Sequence, residues 1–264
     1  MIPSPHTNQI PSYKAYEMDE KSNPYGVCVF VLNEGEKFHH QLARMKSLSK
    51  TIDLIIADGG STDGSTNVEI LRSYGVNTLL VKTGNGQLGA QMRMAFAWAL
   101  RRGYQGVVVI DGNNKDSVED IPHFISKLEE GFDHIQGSRF LPGGKHENTP
   151  ISRLIGLKIL HVPCMRWASN FKHTDTTNGF RAYSARLLSD PRVAIFRDVF
   201  NGYELHYYLA IRAPKLGFKC TEIPVTRSYP AKGKTPTKIS PIQGSIQIMH
   251  RLLCTIMGKY DPPK

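Results

Sequence analysis

Little in this chain points to export or to a membrane span. Its four cysteines, Cys28, Cys164, Cys220 and Cys254, are scattered, with no Cys-x-x-Cys spacing. That excludes a disulfide framework and a cysteine zinc site, and leaves reduced, buried thiols as the expectation. No stretch approaches the roughly 20 apolar residues of a spanning helix. The proline-punctuated start, Met1 to Ser12, lacks the charged and then apolar pattern of a leader, so a cytoplasmic product is expected. No internal repeat or low-complexity tract stands out. Aromatic-interleaved RNA motifs and helix-turn-helix signatures are missing too, so nucleic acid is not an expected partner. Acidic residues are scarce: 33 Lys and Arg against 23 Asp and Glu give a net charge of +10. The imbalance is steepest from Arg212 to Lys264, where only Glu222 and Asp261 offset ten basic residues. Such asymmetry suits an anionic partner, phosphates or a lipid surface.

What is present reads as an α/β protein. At 264 residues and 40% hydrophobic content, the chain has enough material for one large domain or two small ones. Residues 1–24 look like an irregular arm. Strand and helix signals then alternate, with strands near 26–32, 52–57, 77–81, 106–110 and 133–138. Helices are expected near 36–49, after Ser65, at 87–102 and from the Ser117-Val-Glu-Asp120 capping box to Gly131. Alternation of this kind predicts right-handed βαβ units on a mostly parallel sheet. The second half is less regular, with helices at 151–170 and 203–216 and strands at 179–183 and 218–225. Residues 229–241 form a basic linker, and an amphipathic helix follows at 242–257.

Two of the strands run into aspartate-rich turns, Asp58-Gly-Gly-Ser-Thr-Asp63-Gly-Ser and Asp111-Gly-Asn113-Asn-Lys115-Asp116. Asp, Gly, Ser and Asn make loops for local reasons, but two carboxylate turns at the ends of neighbouring strands favour a polar ligand site. A rival motif, Gly84-x-Gly86-x-x-Gly89, has the dinucleotide-binding spacing. It begins only at the third strand, follows the polar Lys82-Thr83, and leaves the Asp58 turn without a role.

The stretch from Val27 to Arg139 resembles the nucleotide-sugar-binding half of family 2 glycosyltransferases. Asn33-Glu34 ends the opening strand as in that family's first motif. Asp58-Gly-Gly-Ser-Thr-Asp-Gly-Ser resembles its Asp-Asp-Gly-Ser-Thr-Asp-Gly-Thr, and Leu88 to Arg93 resembles the helix start that follows. Asp111-Gly-Asn113 lies where the family carries Asp-x-Asp, and Glu119-Asp-Ile-Pro122 leads into the next helix. Gly137-Ser-Arg139-Phe, Asp175-Thr-Thr-Asn-Gly-Phe-Arg181 and Glu222 to Arg227 resemble the dolichyl-phosphate mannosyltransferase branch, and the basic stretch to Ser240 falls where that branch has Gly-x-Ser-Lys.

The resemblance implies a GT-A-type fold over 25–228, with the basic linker and helix of 229–264 appended, and an inverting sugar transfer. The donor would be a nucleoside-diphosphate sugar and the acceptor a polyprenyl phosphate or a glycan. It also implies that Asn33, Glu34 and Asp58 hold the base and ribose. Asp111, Asn113 and Asp116 are the implied ligands for Mg²⁺ or Mn²⁺. Arg139, Arg181 and Arg227 are candidate phosphate clamps, since guanidinium forks match phosphate oxygens; the alternative for each is an ion pair. Where the acceptor is a hydroxyl, Asp175 and then Glu204 are the candidate bases, and both have a second reading as structural partners of nearby arginines. Asn113 is a weaker ligand than a carboxylate, and Lys115 cannot ligate while protonated. Either Asp116 takes over as ligand or Lys115 itself neutralises the diphosphate. Through its apolar stripe, the C-terminal helix either packs on the domain or lies on an anionic membrane at the inner face of the cell. A nucleotide-sugar pyrophosphorylase and a catalytically degenerate binder are the competing classes. Asn33-Glu-Gly-Glu36 lacks the lysine- or arginine-bearing loop of the first.

Overall fold

The structure, a computed structural model, describes residues 9–230 and 243–263. The basic residues Lys232, Lys234 and Lys238 of the expected linker, with Ser240, lie outside them.

The chain begins with β1 (Tyr13–Glu17), β2 (Tyr25–Val31), α1 (Glu36–Met45), β3 (Asp53–Asp58), α2 (Val68–Ser73) and β4 (Thr78–Lys82). It continues with α3 (Leu88–Arg101), β5 (Gly106–Asp111), α4 (Ile121–Glu129), β6 (His134–Ser138) and β7 (Lys145–Glu147). The second half holds α5 (Ile151–Ile155), α6 (Val162–Ser169), β8 (Arg181–Ser184), α7 (Ala185–Ser189), α8 (Glu204–Lys215), β9 (Cys220–Pro224), β10 (Thr226–Ser228) and α9 (Gln243–Ile256). Eight strands form one sheet in the order β1-β4-β3-β2-β5-β8-β6-β9, and β10 pairs with β7 in a small second sheet. The central strands β4, β3, β2 and β5 are parallel, and β8 runs against both of its neighbours.

The apolar runs explain the layering. In β2, Cys28 and Phe30 face one core with Ile55, Val107 and Val109, under α3 and α8. Val27, Val29 and Val31 face the other with Leu54, Ile56, Val108 and Ile110, under α1 and α4. Strands covered on both faces need apolar residues at every position, which is why they lack polar alternation.

The arm expected to be irregular through residue 24 carries β1 instead, an antiparallel edge strand with Tyr13 opposite Lys82 and Glu17 opposite Thr78. Four of its five residues are exposed, so it has no buried face to betray it. The helix expected at 151–170 is one helical run containing a π turn at Gly156–His161. The C-terminal helix packs as the blander expectation had it: Leu252 is buried against Met165, Ala168, Tyr207, Ala210 and Ile211. No helix among the described residues is long and apolar enough to cross a membrane.

Candidate active site

Chain order in the sheet reverses at β2: β3 and β4 follow it on one side and β5 lies on the other. In open α/β sheets such a reversal leaves a crevice at the carboxyl ends of the strands. Asp58 stands opposite Val31 and Asp111 opposite Phe30, so both aspartate turns open onto this one crevice.

The two turns differ in what they offer. Asp58 is buried. Its Oδ1 accepts from the backbone of Gly60 and Ser61 and from the Ser61 hydroxyl, and its Oδ2 from Thr66. Asn33, at a left-handed φ of 49°, accepts from the Thr62 amide at 2.8 Å, while its own amide donates to Ser61 Oγ. Asp58 therefore shapes the turn, and the exposed Asn33 stitches the turns after β2 and β3 together.

The turn after β5 is held from below by α1. Buried Gln41 accepts from the Asn114 amide at 2.7 Å, and Arg44 donates to Asn114 Oδ1 and to Glu119. A Cβ on Gly112 would stand 2.8 Å from Val31 Cγ2, so the backbone passes too close for another residue. Asp111 reaches the crevice with 31% of its side chain exposed, and its Oδ2 accepts from Arg227 Nη2 and Asn113 Nδ2, both at 3.3 Å. Arg227 arrives on β10, beside Asp116, and its Nη1 donates to Asp116, whose carboxylate has no exposed surface. Burial works against the Arg227 charge, but Asp116 and Asp111 outweigh it and hold the guanidinium above its ordinary value. Lys115 Nζ lies 5.2 Å from the centre of the Tyr229 ring. Burial and then Arg227 pull the lysine below its ordinary value, against Tyr229, Asp111 and Glu34.

Other expected site residues lie under the crevice instead of in it. Asp175 is fully buried and closed in a bidentate pair with Arg139, at 2.6 Å to Nε and 2.9 Å to Nη2, with the amides of Arg139 and Thr177 completing its shell. Burial pushes its carboxyl up, and the arginine more than reverses this, leaving it below the ordinary range. Arg181 spends its guanidinium on the carbonyls of Asn178, His206 and Thr176, which removes it as a clamp. Glu204 accepts from the amides of Asn201 and Gly202 at the start of α8, and from Arg251 of α9 at 2.7 Å. For both carboxylates the second reading, a structural partner of arginine, matches the geometry.

Asp111, Asn113 and Asp116 each already have partners within the protein. Asp111 is already paired, both ends of the Asn113 amide are bonded within the turn, and Asp116 is sealed under Arg227. Among the described residues no group of three His, Cys, Asp or Glu side chains could hold a metal ion. The rival glycine motif is accounted for by packing. A Cβ on Gly89 would meet the carbonyls of Phe200 at 2.6 Å and Gly202 at 2.8 Å, and Asn201 caps the Gln87 and Gly89 amides. The start of α3 is closed to a pyrophosphate.

Two participants escaped the sequence reading. Tyr229 sits among Lys115, Arg227 and Arg153, whose guanidinium carbons and ammonium lie 5.2 to 5.9 Å from its ring centre, and Arg153 donates to its hydroxyl at 3.4 Å. The available signal was spacing, since Tyr229 lies two residues beyond Arg227 and so on the same side of an extended chain.

A polar crevice at this reversal is the architecture of the GT-A transferases. Residues 26–203 match Glycosyl transferase family 2, about two thirds of the chain, and the protein belongs to that family as a glycosyltransferase. It is 28% identical over 203 residues, 76% of each chain, to a polyprenol monophosphomannose synthase of Mycolicibacterium smegmatis. To an undecaprenyl-phosphate mannosyltransferase of Micrococcus luteus it is 30% identical over 200 residues, 74% of this chain and 79% of the other. Among solved structures, glucosyl-3-phosphoglycerate synthase of Mycobacterium tuberculosis superposes with a TM-score of 0.63 at 17% identity, over 91% of this chain and 81% of that one. The same enzyme bound to Mn²⁺, uridine diphosphate and phosphoglyceric acid superposes at 0.62, with 18% identity over 91% and 79%. At that identity the likeness speaks for the fold alone.

Proposed function

We propose that this glycosyltransferase moves a hexose from a nucleoside-diphosphate sugar to a polyprenyl phosphate presented at a membrane surface. One observation carries the choice of acceptor. The two carboxylates expected to deprotonate a hydroxyl, Asp175 and Glu204, are closed in ion pairs, while Lys115, Arg153 and Arg227 gather around Tyr229, with Arg227 reaching Asp111. A phosphate acceptor is already anionic and needs no base. The names of the mannosyltransferase relatives support the same acceptor class.

In this reading a phosphate oxygen of the acceptor forms the bond to the anomeric carbon while the bond from that carbon to the diphosphate breaks on the opposite face. The configuration inverts, and the nucleoside diphosphate leaves with the electron pair. Asn33 and Glu34 border the nucleoside side, with Asp58 shaping the turn. Lys115 and Arg227 stabilise the negative charge that grows on the departing diphosphate. Arg139 and Arg181 hold the floor from beneath. No step requires a protein base, and the residues present do not call for a metal ligand set.

The membrane face in this proposal is the 151–169 helix, in place of the α9 stripe. Ile151, Ile155, Ile159, Pro163 and Trp167 are all exposed, Trp167 by 79%. A spacing of four drifts by about 40° per step on an α-helix. The π turn at 156–161, with more residues per turn, winds the stripe back toward one side. Between Glu147 and Asp175 the chain has no acidic residue but contains Arg153, Lys158, Arg166 and Lys172. Peripheral attachment on the cytoplasmic face follows from this reading. The donor is tested by a thermal-shift screen of UDP-, GDP- and dTDP-sugars with and without Mn²⁺. One nucleotide series is expected to stabilise the protein, and a flat response to all of them contradicts the proposal.

A further inference from the structure

We infer that the diphosphate is gripped here without a divalent ion, with Lys115 and Arg227 occupying the cation's place. The inference rests on the donor reading above and concerns how this chain departs from the ligand pattern of its family. A Mg²⁺ or Mn²⁺ site needs spare oxygen donors carrying net negative charge. The two carboxylates of this turn, Asp111 and Asp116, are both paired with Arg227 of β10. The one carboxylate that faces the crevice shares Oδ2 between Arg227 Nη2 and Asn113 Nδ2. The amide oxygen of Asn113 accepts from the Lys115 backbone at 3.3 Å, and Asp116, although its Oδ1 has no hydrogen-bond partner, is fully buried beneath the guanidinium. A divalent ion entering here would have to break the Asp111–Arg227 pair and sit beside two fixed cations.

A diphosphate also has to part Asp111 from Arg227 Nη2, but its own oxygens replace that acceptor and meet the two cations as attraction. The buried Asp116 fixes Arg227 from one side, and the small sheet of β7 and β10 fixes its backbone, so the guanidinium is held in place before any ligand arrives. Lys115 is positioned by the Tyr229 ring on one side and by its backbone bond to Ser228 on the other. Lys115 then supplies a point charge and Arg227 a single donor, Nη2, to adjacent phosphate oxygens, while Nη1 stays on Asp116.

Isothermal titration of the full-length protein with UDP, GDP and dTDP, in chelator and in Mn²⁺, tests this. The preferred nucleotide is expected to bind with affinities within about threefold of each other in the two buffers. Lys115→Met is expected to weaken the diphosphate about 10–100-fold, the worth of a charge-assisted hydrogen bond, with the matching monophosphate nearly unchanged. The paired change Asn113→Asp and Lys115→Gln is expected to create a Mn²⁺ requirement that the wild type lacks. Wild-type binding that improves tenfold or more with Mn²⁺ overturns the inference and leaves the donor reading standing. Failure of every nucleotide to bind in either buffer overturns both.

Discussion

Arg139 and Asp175 are 36 positions apart, yet they form a bidentate and buried ion pair. The sequence marked both as site residues, because both sit in matched motifs, but it did not say that they spend their charges on each other. Partner choice is set by distances that only the folded sheet creates. Asp175→Asn leaves the Arg139 charge uncompensated, and we expect a loss of about 3–5 kcal/mol in urea unfolding; a variant as stable as wild type would show that the pair does not hold the floor. Burial holds His161 down at about 4, and His134 and His206 also lie well below their ordinary value, each with Arg181 as the next cause. These rings stay neutral in the fold but protonate near 6.5 in the unfolded chain, which then binds more protons. Stability from them is complete above about pH 6.5 and falls as pH drops toward 4, on the order of 3 kcal/mol for a histidine shifted as far as His161. Denaturant midpoints that stay constant from pH 7.5 to 5 would contradict this.

Elements were legible where burial imposes a pattern. The strands β2, β3 and β5 are continuous apolar runs, and α3 is Ala-, Met- and Leu-rich because it is covered on nearly every side. Elements escaped where no such pattern exists, as with the exposed β1 and the three-residue β7 and β10. The apolar stripe of the C-terminal helix suggested membrane contact, but Ile248, Met249, Leu252 and Ile256 pack against α6 and α8. The 151–169 helix is the reverse case: it was legible as a helix, and its outward apolar stripe became visible only with the fold. Trp167→Glu is expected to abolish sedimentation with anionic vesicles at low salt while leaving nucleotide binding intact, since Trp167 is 79% exposed. The four basic residues beside the stripe contribute about 1 kcal/mol each near an anionic surface, so high salt should also release the wild type. Wild-type protein that stays in the supernatant at low salt would remove the membrane face from the account.

At the scale of the whole molecule, six degenerate motifs in one order located the fold and its crevice, because a parallel sheet places every strand's C-terminal turn on the same edge. Chain order alone does not show which carboxylates remain available there. The structure closes Asp175 and Glu204 in ion pairs and gathers Lys115, Arg153 and Arg227 around Tyr229, and the proposed phosphate acceptor rests on that. Transfer itself is the most direct test. The protein is incubated with a detergent-dispersed polyprenyl phosphate and, in parallel, with a soluble glycan, using UDP-, GDP- and dTDP-hexoses labelled in the sugar, and the product is partitioned into organic solvent. The account predicts label in the organic phase as a glycosyl phosphate, from one nucleotide series and at neutral pH. Label that enters the glycan and never the lipid phase, whichever donor is supplied, would contradict it.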